Sequence, residues 1–221
     1  MITPDATSPT VATGSAEDVD GFLDALRSGQ APEGADALRA EFLSTVAEVV
    51  TAPAGSMDVV LSSPQGYSTH GFTLSRAGAL RRSRGTTSQE EIALHPMTVL
   101  PGALLRLVGI SPVEASESSV IVEAEDSVVD ALFEADADAR SAAWRSVTAA
   151  MASLPSSARK DLEDAEPRAA RVVRHRPEGS RSATTLMLRG RYLLPAEDSV
   201  DQVHGTTPTG AARAVMTALL R

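Results

Sequence analysis

Two stretches of this chain align without a gap. Residues 58–80 read DVVLSSPQGYSTHGFTLSRAGAL, and residues 171–193 read RVVRHRPEGSRSATTLMLRGRYL, at a constant offset of 113. Val59 and Val60 fall on Val172 and Val173, Pro64 on Pro177, Gly66 on Gly179, Arg76 on Arg189 and Leu80 on Leu193, with Leu74 facing Met187. Five residues fewer in the second copy then bring Gly102-Ala103 over Gly210-Ala211, each pair opening a helix. An amphipathic helix precedes each copy, over 36–50 and 140–154. A repeat of this length restricts the fold more than any single element does. It predicts two equivalent halves, each a helix, a small antiparallel meander and a further helix. Halves of this size are marginal alone, so they are expected to pack as a pseudo-dimer over one core.

Hydrophobic periodicity gives the remaining elements. Val19, Phe22, Leu23 and Leu26 mark a weak helix over 16–29, behind a Thr/Ser/Pro-rich tail read as disordered over 1–15. Leu38, Phe42, Val46, Val49 and Val50 make the stripe of the 36–50 helix. Short strands follow at 57–61 and 92–94, with a hairpin over 72–81 around Ala77-Gly78 and a helix over 98–108 with Pro101 in its first turn. A β-branched strand at 119–123 leads into a helix from Asp126, and 136–139 reads as a polar link. Trp144, Val147, Met151 and Leu154 form one stripe of the 140–154 helix, and 157–166 is a charged helix candidate. Strands at 169–176 and 184–194, a polar loop and a helix at 208–220 complete the chain. The expected organisation is a tail and weak helix over 1–35, a first half over 36–111, a bridge over 112–139 and a second half over 140–221, in the α+β class.

Composition bears on function by exclusion. With 43% hydrophobic residues but only four Phe, two Tyr and one Trp in 221 residues, the core must be built from Ala, Val and Leu. The absence of cysteine excludes disulfides, thiolate catalysis and Cys-ligated metals. A net charge of −9 argues against nucleic acid as a partner. No apolar run is long enough for membrane insertion, and the first residues lack the pattern of a signal peptide, so a cytoplasmic protein is expected. Lys160 is the one lysine against 19 arginines, as in high-GC genomes.

No catalytic or metal signature emerges. His70, His95, His175 and His204 lack ligand spacing, and Asp18-Val-Asp20-Gly21 and Asp136-Ala-Asp138 lack the further carboxylates of a calcium loop. GxSxG, Walker and GxGxxG motifs are absent. An enzyme is therefore not expected, and no cofactor or metal. The arginines remain. Charge alternates along the chain, with 71–111 and 139–221 basic and 1–70 and 112–138 acidic. Arg81, Arg82 and Arg84 cluster after the first hairpin. Arg76 and Arg189 occupy equivalent positions, and Arg189 shares a strand face with Arg191. These six are the candidate partner-binding residues, able to meet carboxylates through guanidinium forks.

The order of segments resembles the EspG family, cytosolic chaperones of type VII (ESX) secretion in actinobacteria. Three stretches carry the resemblance: the helix–strand–meander–helix of 38–110 with EIALHPMTVLPGALLRLVGISP, the strand and helix of SSVIVEAEDSVVDALFEA, and 170–221 with Gly190-Arg191-Tyr192. It implies a mixed α/β body of two quasi-symmetric halves. It also implies a non-enzymatic chaperone that shields the helical tip of a PE/PPE-type secretion substrate, as a monomer or weak dimer. The chain departs from the family in its shorter length and its first 35 residues. A structural or regulatory binding domain unrelated to secretion, and thirdly an unrecognised enzyme, are the alternatives.

Overall fold

The computed structural model describes residues 1–111, 120–156, 159, 166–189, 191–195 and 201–220. The chain forms two compact units, each assembled from three separate segments. Unit 1 comprises Met1–Val59, Ser68–Leu104 and Val173–Ser182; unit 2 comprises Val60–Tyr67, Leu105–Val172 and Ala183–Arg221.

Unit 1 contains β1 (Thr3–Pro4), β2 (Val11–Ser15), α1 (Ala16–Arg27), α2 (Ala40–Thr51), β5 (Ala79–Arg84) and β6 (Gln89–His95). It also holds most of β3 (Gly55–Ser62) and β4 (Tyr67–Leu74), and it takes in the start of α3 (Leu100–Leu107). Its strands lie in the order β1-β2-β6-β5-β4-β3, with the last residues of β8 (Arg168–His175) next to β3. The β4–β5 hairpin pairs Leu74 with Ala79 and Phe72 with Arg81, as the alternation around Ala77-Gly78 predicts. Strand β6 is longer than the expected 92–94, because Gln89 to Glu91 pair with β2 as well.

The first 15 residues are ordered, contrary to expectation. Ala12 pairs with Ile92, and β2 is the outer neighbour of β6. Ile2 is 2% exposed and lies over Gly14, where a Cβ would come within 2.8 Å of the Ile2 side chain. The small residues that hide this strand from hydropathy are what let Ile2 and α1 approach it. Val19, Phe22, Leu23 and Leu26 of α1, Phe42, Val46, Val49 and Val50 of α2, and Ala12, Leu80 and Ile92 of the sheet form one cluster. Each large side chain buried there contributes about 1.5–3 kcal/mol.

Unit 2 contains β7 (Ile121–Glu123), α4 (Asp126–Ala131), α5 (Ala137–Ala152), β9 (Arg181–Arg189), β10 (Arg191–Pro195), β11 (Gln202–Thr206), α6 (Pro208–Leu220) and most of β8. The order is β8-β9-β10-β11-β7. Its core gathers Val122, Val129, Leu132, Phe133, Trp144, Val147, Met151, Met187, Leu193 and Val203. Three expectations change here. Residues 184–194 are two strands rather than one, with Arg191 paired to Arg189. The polar loop contains β11, which pairs Val203 with Val122. Residues 136–139 begin α5, because the Asp136 carboxylate caps it by accepting from the Ala139 amide at 2.8 Å. The charged helix candidate at 157–166 falls largely outside the described residues.

The element sequence β2-α1-α2-β3-β4-β5-β6-α3 recurs as β7-α4-α5-β8-β9-β10-β11-α6. In this order β7 and α4 correspond to β2 and α1. Repeat positions are core positions: Val59 and Val172 are both 0% exposed, and Leu74, Met187, Leu80 and Leu193 are all buried. Pro64-Gln-Gly66 and Pro177-Glu-Gly179 both sit in strand-connecting turns, and Gly179 takes a φ of 87° that favours glycine. Among the described residues, no helix is long and apolar enough to cross a membrane.

Candidate partner-binding surface

The sequence places Arg81, Arg82 and Arg84 where a loop could display them. The structure places all three inside β5, and alternation sends their side chains to both faces of the sheet. Arg82 and Arg84 share the face covered by α1. There Glu90, directly opposite Arg84 in β6, receives Arg82 Nε and Arg84 Nε on its two oxygens. Arg82 reaches further, donating to Asp20 Oδ1 at 2.6 Å and to the Ala16 carbonyl at 3.4 Å, so it ties α1 to the sheet. The Glu90 side chain is 7% exposed, against 39% for Glu91. Burial works against the charge on Arg82, but its bonds to Asp20 and Glu90 outweigh that and raise its pKa. The same Arg82 bond lowers the pKa of Asp20.

The opposite face of β4–β5–β6 carries Arg81, paired with Glu91, and His70. His70 Nδ1 lies 2.8 Å from Ser83 Oγ, and Nε2 lies 3.1 Å from Ser68 Oγ. Burial first, and the nearby Arg81 charge second, push the His70 pKa down to about 4. The imidazole is neutral at pH 7, held between two hydroxyls.

Arg76 stands in the β4–β5 turn and is exposed. Arg189 ends β9 and Arg191 begins β10, paired across the hairpin; their side chains lie outside the described set. In unit 2, two further arginines stack on aromatic rings that motif reading passed over. Arg140 sits 4.4 Å from the Tyr67 ring centroid and donates to the carbonyls of Glu134 and Ala135. Arg171 sits 4.4 Å from the Phe133 ring, bonds Asp130 and reaches Thr185 Oγ1 at 3.2 Å. Tyr67 Oη donates to the Phe133 carbonyl at 3.3 Å, linking the two stacks. The signal available in the sequence was the scarcity of aromatics: an aromatic near an arginine in such a chain has few other roles.

A cleft of about 590 Å³ opens in unit 2 against β7, β11 and α5, lined by Glu123, Glu125, Val128, Ser146, Asp201 and Gln202 among others. No group of three or more His, Asp or Glu among the described residues is arranged to hold a metal ion. The geometry is that of an ion-paired sheet face with Arg76 exposed in the β4–β5 turn.

No family model matches the sequence, and no curated protein does. A solved structure does: the type VII secretion system chaperone EspG5 of Mycobacterium tuberculosis, in complex with a PE25–PPE41 dimer. The match covers 95% of this chain and 96% of that one, at 13% identity and a TM-score of 0.50. This chain is similar to EspG5 in fold over nearly all of its length.

Proposed function

We propose that this chain is a non-enzymatic chaperone of type VII secretion that holds the helical end of a PE/PPE-type substrate in the cytoplasm. The observation that carries this reading is the fold likeness to EspG5 across nearly the whole of both chains. EspG5 was solved bound to a PE25–PPE41 dimer, so a helical pair is the partner class to try first. The repeated element order supports a duplicated origin for the two halves.

The test is capture of the tagged full-length chain from its own cells, followed by mass spectrometry and native mass measurement. The expected result is a stoichiometric complex with a PE/PPE-type pair. Recovery of the chain alone, or with an unrelated protein at equal stoichiometry, would overturn the reading.

A further inference from the structure

Residues 11–25 (VATGSAEDVDGFLDA) align without a gap with residues 121–135 (IVEAEDSVVDALFEA), at an offset of 110. Strand β2 falls on β7, and the first residue of α1 on that of α4. Val19 falls on Val129, Phe22 on Leu132 and Leu23 on Phe133, and all six are buried. Ala12 and Val122, central in their strands, are both 0% exposed. The two strands also take the same place in their sheets, β2 outside β6 and β7 outside β11. They differ in what lies beyond. The outer edge of β2 carries β1, with Thr3 opposite Thr13 and the Asp5 amide donating to the Val11 carbonyl at 2.9 Å. No strand among the described residues pairs with the outer edge of β7.

The register of β7 fixes which groups that edge presents. Gly205 N donates to the Val120 carbonyl at 2.7 Å, and Ala124 N to the Asp201 carbonyl at 2.9 Å. Bonded pairs alternate in an antiparallel ladder, so Val120, Val122 and Ala124 bond β11, while the amides and carbonyls of Ile121 and Glu123 point outward. Their counterparts Val11 and Thr13 are half-buried beside β1, whereas Ile121 is 49% exposed and Glu123 is exposed. The cleft of unit 2 falls where unit 1 seats its first residues. In unit 1, Ile2 lies over Gly14, and the Met1 amino group pairs with Asp18. The counterparts of Gly14 and Asp18 are Ala124 and Val128, and both line the cleft, together with the carboxylates of Glu123, Glu125 and Asp201. Residues 112–138 hold nine carboxylates and no Lys or Arg, so the surroundings of this edge favour a cation.

We propose that the β7 edge and this cleft bind an extended, basic segment of a partner protein, added antiparallel to β7 as β1 is added to β2. The register of β1 sets the chemistry of that segment. An apolar residue lies opposite Ile121, and two residues before it a cation lies opposite Glu123. The residue before that cation is apolar and takes the place over Ala124 that Ile2 takes over Gly14. A second cation, one residue earlier, meets Glu125. Main-chain bonds give affinity, and these side chains give selectivity. A second copy of this chain is the poorer occupant, because pairing β7 with β7 brings Glu123 and Glu125 of both copies together. Residues 112–119 bring only Glu114 and Glu117, of the same sign. The surface is independent of the helical partner proposed above.

The probe is a peptide of about ten residues, opening Lys-Ile-Lys-Thr-Val and fluorescent at its C-terminus. It is titrated against the full chain by anisotropy at two salt concentrations, with Glu in place of both Lys as the control. The lysine peptide binds, more tightly at low salt, and the glutamate peptide does not. Methylating the amide nitrogen of its third residue, which faces β7, weakens binding about tenfold or more; methylating that of the fourth, which faces away, changes it less than about twofold. Ile121→Pro deletes an outward N–H at a strand edge, where proline is tolerated, and Glu123→Lys reverses the charge. Each weakens binding while leaving the melting temperature in place. By NMR the amides of Ile121 and Glu123 exchange fast in the free chain, and the peptide slows both. No binding of the lysine peptide, equal binding of the glutamate peptide, equal effects of the two methylations, or unchanged affinity in both variants overturns the proposal. Slow exchange at Ile121 and Glu123 in the free chain overturns it too, because the edge is then covered by the chain itself or by a second copy.

Discussion

Glu90 and Glu91 are neighbours in sequence and opposite in consequence. Glu90 is buried between two guanidiniums, so removing it leaves the largely covered Arg82 with Asp20 as its remaining carboxylate partner. Glu91 is exposed enough for water to replace what Arg81 loses. Glu90→Ala should therefore cost about 2–4 kcal/mol in a urea titration, and Glu91→Ala under about 1 kcal/mol. Equal losses would mean that the two pairs are screened alike. His70 sets a pH dependence of definite sign. Above about pH 6.5 the imidazole is neutral in both folded and unfolded chain. Below that, the unfolded chain binds a proton that the folded chain refuses until about pH 4. Stability should thus fall as pH drops from 6.5 to 4, and His70→Gln should flatten the slope over that window. The lowered carboxylates Asp5, Asp18, Asp20 and Glu178 act in a separate window, their contribution being lost only as pH falls below the normal carboxylate range. Of the six arginines expected to bind a partner, the sequence could not reveal that three lie in one strand opposite Glu90 and Glu91. Register between β5 and β6 decides that, and register depends on a turn whose length the charges do not disclose.

Elements with strong stripes were legible, and those made of small or polar residues were not. The 36–50 helix appears as α2 because Phe42, Val46, Val49 and Val50 recur at helical spacing. Strand β2, Val-Ala-Thr-Gly-Ser, has no apolar run to notice; it exists because β6 offers it an edge and α1 needs a small surface to lie on. Strand β11 is hidden for the same reason, with His204 and Gly205 exposed between β10 and β7. The caps were partly readable. Ser15 accepts from the Asp18 amide at 3.1 Å, and Asp18 returns the bond to the Ser15 amide at 3.2 Å, a capping box at the start of α1. Ser15→Ala should cost about 1 kcal/mol by denaturant titration. A larger effect belongs to α5. Trp144 Nε1 donates to Ser62 Oγ at 3.0 Å with both groups buried. Ser62→Ala removes the acceptor and strands the indole N–H, at a cost of about 1–3 kcal/mol. Because Trp144 is the sole tryptophan, its emission should also shift in the native state. An unchanged spectrum and midpoint would show that water or another acceptor replaces the hydroxyl.

At the scale of the molecule, the repeat and the compact units divide the chain differently. The repeat cuts it once, near residue 112. The units instead exchange segments: Val173–Ser182 belongs with the first half's strands, and Val60–Tyr67 with the second half's. Strands β3 and β8, the leading strands of the two meanders, each contribute residues to both units. A fragment of residues 1–111 therefore lacks Arg174 and His175, which bond Ser56 and Asp58 in unit 1. A fragment of residues 112–221 lacks Ser62 and Tyr67, which bond Trp144 and the Phe133 carbonyl in unit 2. Each buried apolar cluster lies within a single fragment, but each fragment loses the polar partners that the exchanged segment brings to it. Each alone should be aggregated or lack cooperative unfolding, while coexpression of the two should restore a soluble pair with native Trp144 emission. For the same reason the full chain should unfold in one transition, with Trp144 fluorescence, which reports unit 2, tracing the same urea curve as far-UV circular dichroism, which reports both units. Two separated transitions, or a fragment of residues 1–111 that melts cooperatively by itself, would show that the exchanged segments are dispensable and that each half is a domain in its own right.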